Sequence, residues 1–498
     1  MPFVATSEGI GHPGQGLHWA RMGAVLRRSL PVAALLVIVG AVATSGRPQA
    51  PASNARALET ALDRYVASPD PSFRFEVAAT LPTDGAAVTL LDLTSQQWLT
   101  GAEIDEPVWR HWLTVIRPPV VTSDTALLFI TGGSRTRPRP SEAPADLVRI
   151  ARSTSTVVAE LRLVPNQPIT FRGDPENKPR VEDDFIAYTW NKFLETGDVR
   201  WPAQFPMTKS AVRAMDAVSA FAASPAGGST TVARFVVAGA SKRGWTTWTT
   251  AAVDRRVVAI APLVIDLLNV EPSFIHHWRA YGFWAPAVKD YAEQGIMEWR
   301  GTPQFRALMK LVEPYEYRAR LTMPKLLINA SGDQFFLPDS SQFYIRDLPG
   351  ETSLRYVPNT DHSLQKSDAV QTLETFYASV VSDVRRPSFS WTFGDDGSIR
   401  VVSKDLPKAV TMWQAVNSAA RDFRIETIGP AYQPTSLTPV GPNTWVGRVA
   451  APARGWSAGF VELTFDVGGR PLKMTTGVRV MPDRLPFEAP VAQRALAR

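Results

Sequence analysis

The 498-residue sequence contains no cysteine, only six histidines and no block of consecutive basic residues. The absence of cysteine excludes disulfides, thiolate metal sites, a cysteine nucleophile and a lipidated N-terminal cysteine. The net charge of +6 is modest for this length, so a nucleic-acid partner is not expected. Neither histidines in an H-x-x-x-H spacing nor clustered carboxylates are present to indicate a metal site. We therefore expect a protein that needs no metal and no cofactor.

The sequence also has little that resembles a membrane span. The apolar run Val32–Val42 is too short to cross a bilayer comfortably. Two arginines precede it and Ala41–Ala43 closes it, a pattern that predicts a secretory signal peptide over residues 1–43. An uncleaved anchor is the alternative, and translation from Met22 would shorten the basic region. We expect an exported protein, periplasmic or secreted, without stable membrane insertion after cleavage.

What is present is a hydrophobic content of 45% with 15 tryptophans, which indicates a well-packed globular chain of two or three domains. Residues 44–56 are rich in Ala, Pro, Ser and Arg and predict a linker. Residues 57–386 alternate strand and helix patterns, which indicates a mostly parallel sheet covered on both faces. Residues 387–498 instead show about seven short alternating runs, one of them at Phe423–Ile428, which predict the strands of an immunoglobulin-like β-sandwich with an accessory role.

A long aromatic-rich segment interrupts the α/β pattern. Residues 266–323 lie between the predicted strands Val257–Ile265 and Lys325–Asn329, and they are far more numerous than an ordinary crossover needs. We interpret them as a helical cap over the carboxyl edge of the sheet, where they would form a lid and a substrate wall. A helix pair with only its own core is the alternative.

The candidate nucleophile follows the predicted strand Phe235–Ala240. Strand, small residue, serine, small residue and helix is the pattern of a nucleophile elbow, which would expose the Ser241 hydroxyl above the sheet. Gly239 fits because a side chain there would collide with the turn. The usual second glycine comes one place late, at Gly244, and Arg243 occupies its slot. The alternative is an ordinary helix N-cap serine.

An acid and a base follow in the order that α/β-hydrolases use. Asp333 comes just after the predicted strand Lys325–Asn329, and His362 comes just after the next strand. Both loops would open on the same edge of a parallel sheet as the serine, as a Ser-His-Asp triad requires. Asp266 is the competing acid, and we favour Asp333. Taken alone, His362 would more often be a loop histidine bonded to Asp361.

Two backbone N–H groups should hold the oxyanion that forms in acyl transfer. One is that of Lys242, directly after the nucleophile, and the other is that of Gly133 or Ser134 in the glycine-rich loop after the strand Ala126–Thr131. The side chains of Lys242 and Arg243 could favour an anionic substrate, or they could simply point to solvent. The residues that we expect to contact substrate are Trp245, His277, Trp278 and Tyr281.

Several strings of residues together resemble one family, the PhoPQ-activated pathogenicity-related proteins, which includes the autocrine proliferation repressor proteins. They are G-A-S-K-R-G-W-T-T-W (239–248), I-T-G-G (130–133), Y-T-W-N-K-F (188–193), W-P-A-Q-F-P-M-T-K (201–209), H-W-R-A-Y-G-F-W (277–284) and P-K-L-L-I-N-A-S-G-D-Q-F-F (324–336). The resemblance covers roughly residues 60–480. It implies an α/β-hydrolase fold with a C-terminal β-domain, usually an export signal, and a serine hydrolase site at Ser241, Asp333 and His362. The late glycine belongs to the family's own elbow.

These observations lead us to expect an exported serine hydrolase that cleaves an acyl bond, first of all a carboxylic ester, through an acyl-enzyme. A peptidase or aminopeptidase with the same triad is the runner-up, because the same chemistry cleaves amides. The rival from another class is a non-catalytic secreted binding or signalling protein that keeps the fold as a scaffold. The expected partner is a small-molecule or peptide substrate, and the oligomeric state stays open.

Overall fold

The computed structural model describes residues 59–492 and Arg494. The predicted signal peptide (1–43) and the predicted linker (44–56) lie outside the described residues. None of the helices in the described part combines the length and the apolar character needed to cross a membrane.

The centre of the fold is a nine-stranded sheet whose strand order is β1-β2-β3-β5-β4-β8-β9-β10-β11. Its strands are β1 (Arg74–Leu81), β2 (Ala87–Gln97), β3 (Val108–Arg117), β4 (Thr125–Ile130), β5 (Val158–Leu161), β8 (Arg234–Ala240), β9 (Val257–Leu263), β10 (Lys325–Ala330) and β11 (Thr352–Val357); β6 (Ile169–Thr170) and β7 (Pro179–Arg180) form a small separate ribbon. The first four strands in this order pair antiparallel, and the pairs from β5 to β11 are parallel. This is the mostly parallel sheet that the sequence predicts.

Helices cover both faces of this sheet, as its apolar strands require. They are α1 (Ala61–Ala67), α2 (Ala145–Thr154), α3 (Glu182–Thr196), α4 (Gln204–Ala223), α5 (Lys242–Val253), α6 (Val270–Tyr281), α7 (Lys289–Glu293), α8 (Pro303–Val312) and α9 (Ala369–Val381). Strand β10 is buried along its whole length, and β8 is buried apart from its two ends. In the sequence these strands are continuous apolar runs without alternating polar residues, and this pattern reflects their burial on both faces.

The predicted cap is helical, with α6, α7 and α8 joined by 3₁₀ turns. Most of its buried apolar side chains do not form a separate core, because Phe274, Phe305 and Val312 join the same buried cluster as Trp245 of α5. Only Ala280, Tyr281 and Ala285, among the described cap residues, form a small separate cluster, together with Leu337. The indole N–H of Trp245 also donates to the Val312 carbonyl at 2.6 Å. The cap is therefore packed directly onto the helix that follows Ser241.

The C-terminal part consists of two antiparallel sheets that pack together through buried side chains such as Ile399 and Val461. Their strands are β12 (Phe389–Phe393), β13 (Ser398–Ser403), β14 (Ala409–Asn417), β15 (Gln433–Ser436), β16 (Thr444–Arg448), β17 (Trp456–Val467), β18 (Arg470–Thr475) and β19 (Arg479–Met481). The strand predicted at Phe423–Ile428 was wrong. That segment contains the short helix α10 (Ile425–Ile428), which the Arg424–Asp422 ion pair and a bond to Gly332 hold in place.

Candidate active site

The turn after β8 holds Ser241 at φ 58° and ψ −128°, a conformation that non-glycine residues rarely adopt. Although Ser241 occupies the N-cap position of α5, its side chain accepts no capping hydrogen bond. The alternative of an ordinary N-cap serine is therefore wrong. A strained turn that leaves the serine hydroxyl uncommitted is the geometry of a nucleophile elbow.

Both glycines of the elbow sit where backbone segments approach each other closely. A Cβ on Gly239 would lie 2.7 Å from the Arg243 carbonyl oxygen, which confirms the collision expected from the sequence. A Cβ on Gly244 would lie 2.8 Å from Ile265 Cγ2 and 3.0 Å from the Gly239 carbonyl oxygen. The first turn of α5 therefore packs closely against the neighbouring strands at Gly244. The backbone at position 243 tolerates a side chain, that of Arg243.

Asp333 and His362, the candidate acid and base, meet at the carboxyl edge of the sheet. Nδ1 of His362 lies 2.8 Å and 3.0 Å from the two carboxylate oxygens of Asp333. The same carboxylate accepts the backbone N–H groups of Phe335 and Phe336 at 2.8 and 3.3 Å. A carboxylate can only accept, so Nδ1 carries the ring proton and Nε2 is left as an acceptor. No group in the described part of the chain bonds to that buried Nε2.

Two phenylalanines lie between Ser241 and His362. A cavity beside the elbow is lined by Ser241, Trp245, Phe335 and Phe336. The Phe335 ring lies 4.3 Å from the His362 ring, centre to centre, and the Phe336 ring lies 5.9 Å away. The two phenylalanines therefore connect the histidine to the wall of the cavity onto which the serine opens.

The competing acid has different partners. Both oxygens of Asp266 accept tyrosine hydroxyls, from Tyr344 and from Tyr356, each at 2.5 Å. Burial raises the pKa of Asp266 to about 7, the two hydroxyls oppose that rise, and the charges of Asp333 and Asp339 add to it. Asp266 is thus a buried acid without a bond to His362, whereas Asp333 holds the imidazole.

This buried acid gives a prediction for stability against pH. The pKa of Asp266 is about 7 in the fold and about 3.9 in the unfolded chain, so only the unfolded state ionises between those values. The free energy of unfolding should therefore fall, relative to that of Asp266→Asn, by up to about 4 kcal/mol as the pH rises from about 4 to 7. Denaturant unfolding at several pH values measures this. Asp84→Asn, at an exposed position, is the control, and its free energy of unfolding should vary with pH as that of the native protein does. The prediction is contradicted if the free energy of unfolding of Asp266→Asn also varies with pH as that of the native protein does.

The two cations after the nucleophile do not point to solvent. The side chains of Lys242 and Arg243 are each only 11% exposed. Arg243 donates two bonds to Glu182, at 2.8 and 2.7 Å, while Lys242 lies 2.9 Å from Glu182 and 3.1 Å from Asp183. Burial would raise the pKa of Glu182, but the Arg243 hydrogen bonds and the Lys242 charge hold it well below its usual range. Each cation thus has a carboxylate partner.

Arg243 also supports the glycine-rich loop after β4. A Cβ on Gly132 would lie 2.2 Å from the Arg243 guanidinium, so the loop rests directly on that group. Gly133 has a φ of 136°, which favours glycine, and its carbonyl accepts from Gln167 at 2.9 Å. In the part of the chain that the structure describes, the backbone N–H groups of Lys242, Gly133 and Ser134 have no acceptor. They are thus uncommitted donors, as an oxyanion hole requires.

The four residues expected to contact substrate have different positions. Trp245 lines the Ser241 cavity, and His277 lines an adjoining cavity that shares Phe335 and Phe336 with it. Trp278 lines neither of these cavities and packs on Trp284, 5.1 Å away between ring centres. Tyr281 lines a separate cavity beside Trp456 and Phe487. Trp278 and Tyr281 therefore do not line the cavity that holds Ser241, and Tyr281 lies about two helical turns beyond Phe274, the residue of α6 that does. Their contact with substrate stays a prediction.

Sequence reasoning missed Glu182, Asp183 and Gln167. The run Glu182–Asp184 lies in the first turn of α3, where acidic side chains commonly interact favourably with the helix dipole. In the sequence this common role explains the run fully, so its contacts at the site are not suggested. Glu182 itself has a φ of 52°, and its backbone N–H donates to Gln167 at 2.7 Å. The signal for this site is a glutamate with an unfavourable backbone conformation that pairs with two cations. That signal is visible only in the structure and not in the sequence.

The C-terminal part of the chain holds the loops that carry Asp333 and His362. The Ile425 N–H donates to the Gly332 carbonyl, next to Asp333, at 3.0 Å. Asn359, in the loop that carries the histidine, exchanges two hydrogen bonds of 2.8 Å with the backbone of Tyr432. Strand β11, which precedes that loop, is bonded at the Tyr356 N–H to the Thr475 hydroxyl at 2.9 Å. The β-domain therefore contributes to the geometry of the site.

Within the described residues no group of three or more acidic and histidine side chains is arranged to hold a metal ion.

The strand order, a serine elbow after β8, an acid after β10 and a histidine after β11 define an α/β-hydrolase fold. The profile of the PhoPQ-activated pathogenicity-related protein family matches residues 62–424. Autocrine proliferation repressor protein A of Dictyostelium discoideum is 36% identical over 458 residues, which cover 86% of this chain and 92% of that protein. The chain belongs to this family.

Among solved structures, acetyl xylan esterase 1 of Thermoanaerobacterium sp. is similar at a TM-score of 0.45 and 15% identity, covering 64% of this chain and 92% of that one. The acetyl xylan esterase of Paenibacillus sp. gives the same TM-score at 14% identity, covering 66% and 92%. A puromycin-hydrolysing peptidase of Mycobacterium tuberculosis gives 0.36 at 16% identity, covering 63% and 40%.

Proposed function

We propose that this protein is a serine hydrolase that cleaves an acyl bond, in the first place a carboxylic ester, through an acyl-enzyme. One observation carries the proposal. An uncommitted serine on a strained elbow opens onto a cavity whose wall residues Phe335 and Phe336 pack on His362. A carboxylate fixes that histidine, and its imidazole nitrogen without a partner is the one that would accept the serine proton.

The steps follow from the positions of the groups. Ser241 Oγ attacks the acyl carbonyl carbon while His362 Nε2 takes the serine proton. The backbone N–H groups of Lys242 and of Gly133 or Ser134 stabilise the oxyanion. His362 then protonates the leaving alcohol, and the acyl group remains on Ser241. A water molecule, deprotonated by the same nitrogen, releases the acid and restores the serine, while Asp333 keeps the imidazole in the required tautomer.

The test is covalent labelling with a fluorophosphonate, which reacts preferentially with an activated serine. The native protein is expected to be labelled, and peptide mapping should place the label on Ser241. Ser241→Ala and His362→Ala should both remain unlabelled although they fold. Labelling at another residue, or no labelling of the folded native protein, would overturn the mechanism. Relative rates on matched simple esters and aminoacyl amides then distinguish an esterase from a peptidase.

We also propose that the protein is exported. The proposal rests on the basic region, the short apolar core and the Ala41–Ala43 site at the start of the sequence. N-terminal sequencing of the protein recovered from culture should begin at Thr44. Recovery of an uncleaved chain in the membrane fraction would favour the anchor instead.

A further inference from the structure

The cavity at Ser241 is mostly apolar, with aromatic side chains from four segments of the chain. Trp190 of α3 packs against Trp245 of α5 and against Tyr291 of the cap, with ring centres 5.8 and 5.5 Å apart. Phe274 of the cap and Phe335 complete this aromatic wall. Such a lining selects a compact apolar group, and specificity must come from the few polar side chains among these rings.

Most of those polar side chains are already paired. The Tyr291 hydroxyl donates to Asp183 at 3.0 Å, and Asp183 is also paired with Lys242. The Trp245 indole N–H is bonded to the Val312 carbonyl. The cations and carboxylates at the cavity therefore compensate one another, so the cavity offers no uncompensated charge to a substrate. Its ligand group should be uncharged.

Gln204 is the exception. It is the first residue of α4, it is only 5% exposed, and it lines the cavity. Its amide oxygen accepts the indole N–H of Trp190 at 2.9 Å. Because an indole nitrogen can only donate, this bond fixes the orientation of the amide and leaves the NH₂ group as the free end. Among the described residues, this NH₂ group donates no hydrogen bond.

We propose that Gln204 is a specificity-determining residue, whose NH₂ group donates to an uncharged oxygen on the substrate group that fills the Ser241 cavity. That group is compact and largely apolar and carries one ether, hydroxyl or carbonyl oxygen. The proposal rests on the proposed function, in which the same cavity receives an ester. Residues 201–209 form one of the strings that resemble the family, and the proposed triad gives none of them a role. The proposal gives such a role to Gln204.

The test uses pairs of esters that differ by one CH₂ group exchanged for an ether oxygen. For the acyl side the pair is 4-nitrophenyl butanoate and 4-nitrophenyl methoxyacetate; for the alcohol side it is butyl acetate and 2-methoxyethyl acetate. The quantity measured is the ratio of kcat/KM for the oxygen-bearing ester to that for its all-carbon partner. Comparing this ratio between variants cancels the intrinsic reactivity of each ester.

Gln204→Met keeps the length of the side chain but removes the donor, so it should lower this ratio about tenfold in one of the two pairs. The pair that responds identifies which side of the ester fills the cavity. Gln371→Met, on the exposed face of α9, is the matched control and should keep the native ratio. An unchanged ratio in both pairs for Gln204→Met would overturn the proposal.

A binding measurement separates this proposal from the proposed function. Ser241→Ala and Ser241→Ala/Gln204→Met are titrated with the intact esters, and tryptophan fluorescence reports the dissociation constants. A tenfold loss of preference for the oxygen-bearing ester in the double variant supports the subsite even if the native protein hydrolyses none of the esters. Hydrolysis by the native protein without any effect of Gln204→Met, in rate or in binding, supports the function and rejects the subsite.

Discussion

Replacing Asp333 with asparagine is expected to lower kcat for an ester about 10⁴-fold while leaving the fold intact. An asparagine can present its NH₂ group to His362 Nδ1, which would move the ring proton to Nε2. The nitrogen that should accept the serine proton would then already carry one. The effect should therefore fall on kcat and leave KM nearly unchanged.

The chain supplies a matched control for this experiment. Asp266 is also a buried acid after a parallel strand, but its oxygens bond to two tyrosine hydroxyls. Asp266→Asn should keep kcat within about tenfold of the native value, because no bond to His362 is lost. Equal losses from the two variants would reject Asp333 as the acid of the triad.

Replacing Gly132 with alanine is expected to lower kcat about 100-fold, the effect of losing one oxyanion donor. The added methyl group would lie 2.2 Å from the Arg243 guanidinium. That group cannot easily give way, because bonds to Glu182 and to the Val164 carbonyl hold it. The loop that carries Gly133 must move instead, and its N–H group leaves the position that faces the substrate.

Two comparisons make this prediction specific. Gly101→Ala places its methyl group where no atom lies within 4 Å, so it should leave kcat unchanged. In an Arg243→Ala background the obstacle is absent, and Gly132→Ala should then cost much less than it does alone. Additive effects of the two substitutions would show that the loop does not depend on Arg243.

The fold was predictable where local pattern and burial agree. The strand that ends at Ala240 has an apolar sequence because it is covered on both faces, so its burial could be predicted. The requirement for glycine at position 239 follows from the geometry of the elbow alone. The placement of Asp333 beside His362 followed from a general property of parallel sheets, whose carboxyl edges collect the loops. The roles assigned to Ser241, Asp333 and His362 remain predictions until turnover is measured.

What could not be predicted depends on contacts between distant segments. Glu182, the carboxylate partner of Arg243, lies 61 residues earlier, at the start of α3, and nothing in the local sequence links the two residues. The segment Phe423–Ile428 has the composition of a strand, but a tertiary bond from Ile425 to Gly332 and a local ion pair hold its second half as a helical turn. Tyr281 shares its helix with residues at the site, yet the length of α6 carries it to another cavity.

The bonds from the β-domain to the loops of Asp333 and His362 have a consequence for the order of events during synthesis. Ser241 emerges from the ribosome well before Ile425 and Tyr432, by roughly 10–40 s at ordinary elongation rates. During that interval the elbow can form, but the acid and the base lack the segments that hold their loops in place. Competence to hydrolyse an ester would therefore arise only when nearly the whole chain has been made. A nascent chain that is not yet complete would therefore lack the proposed activity.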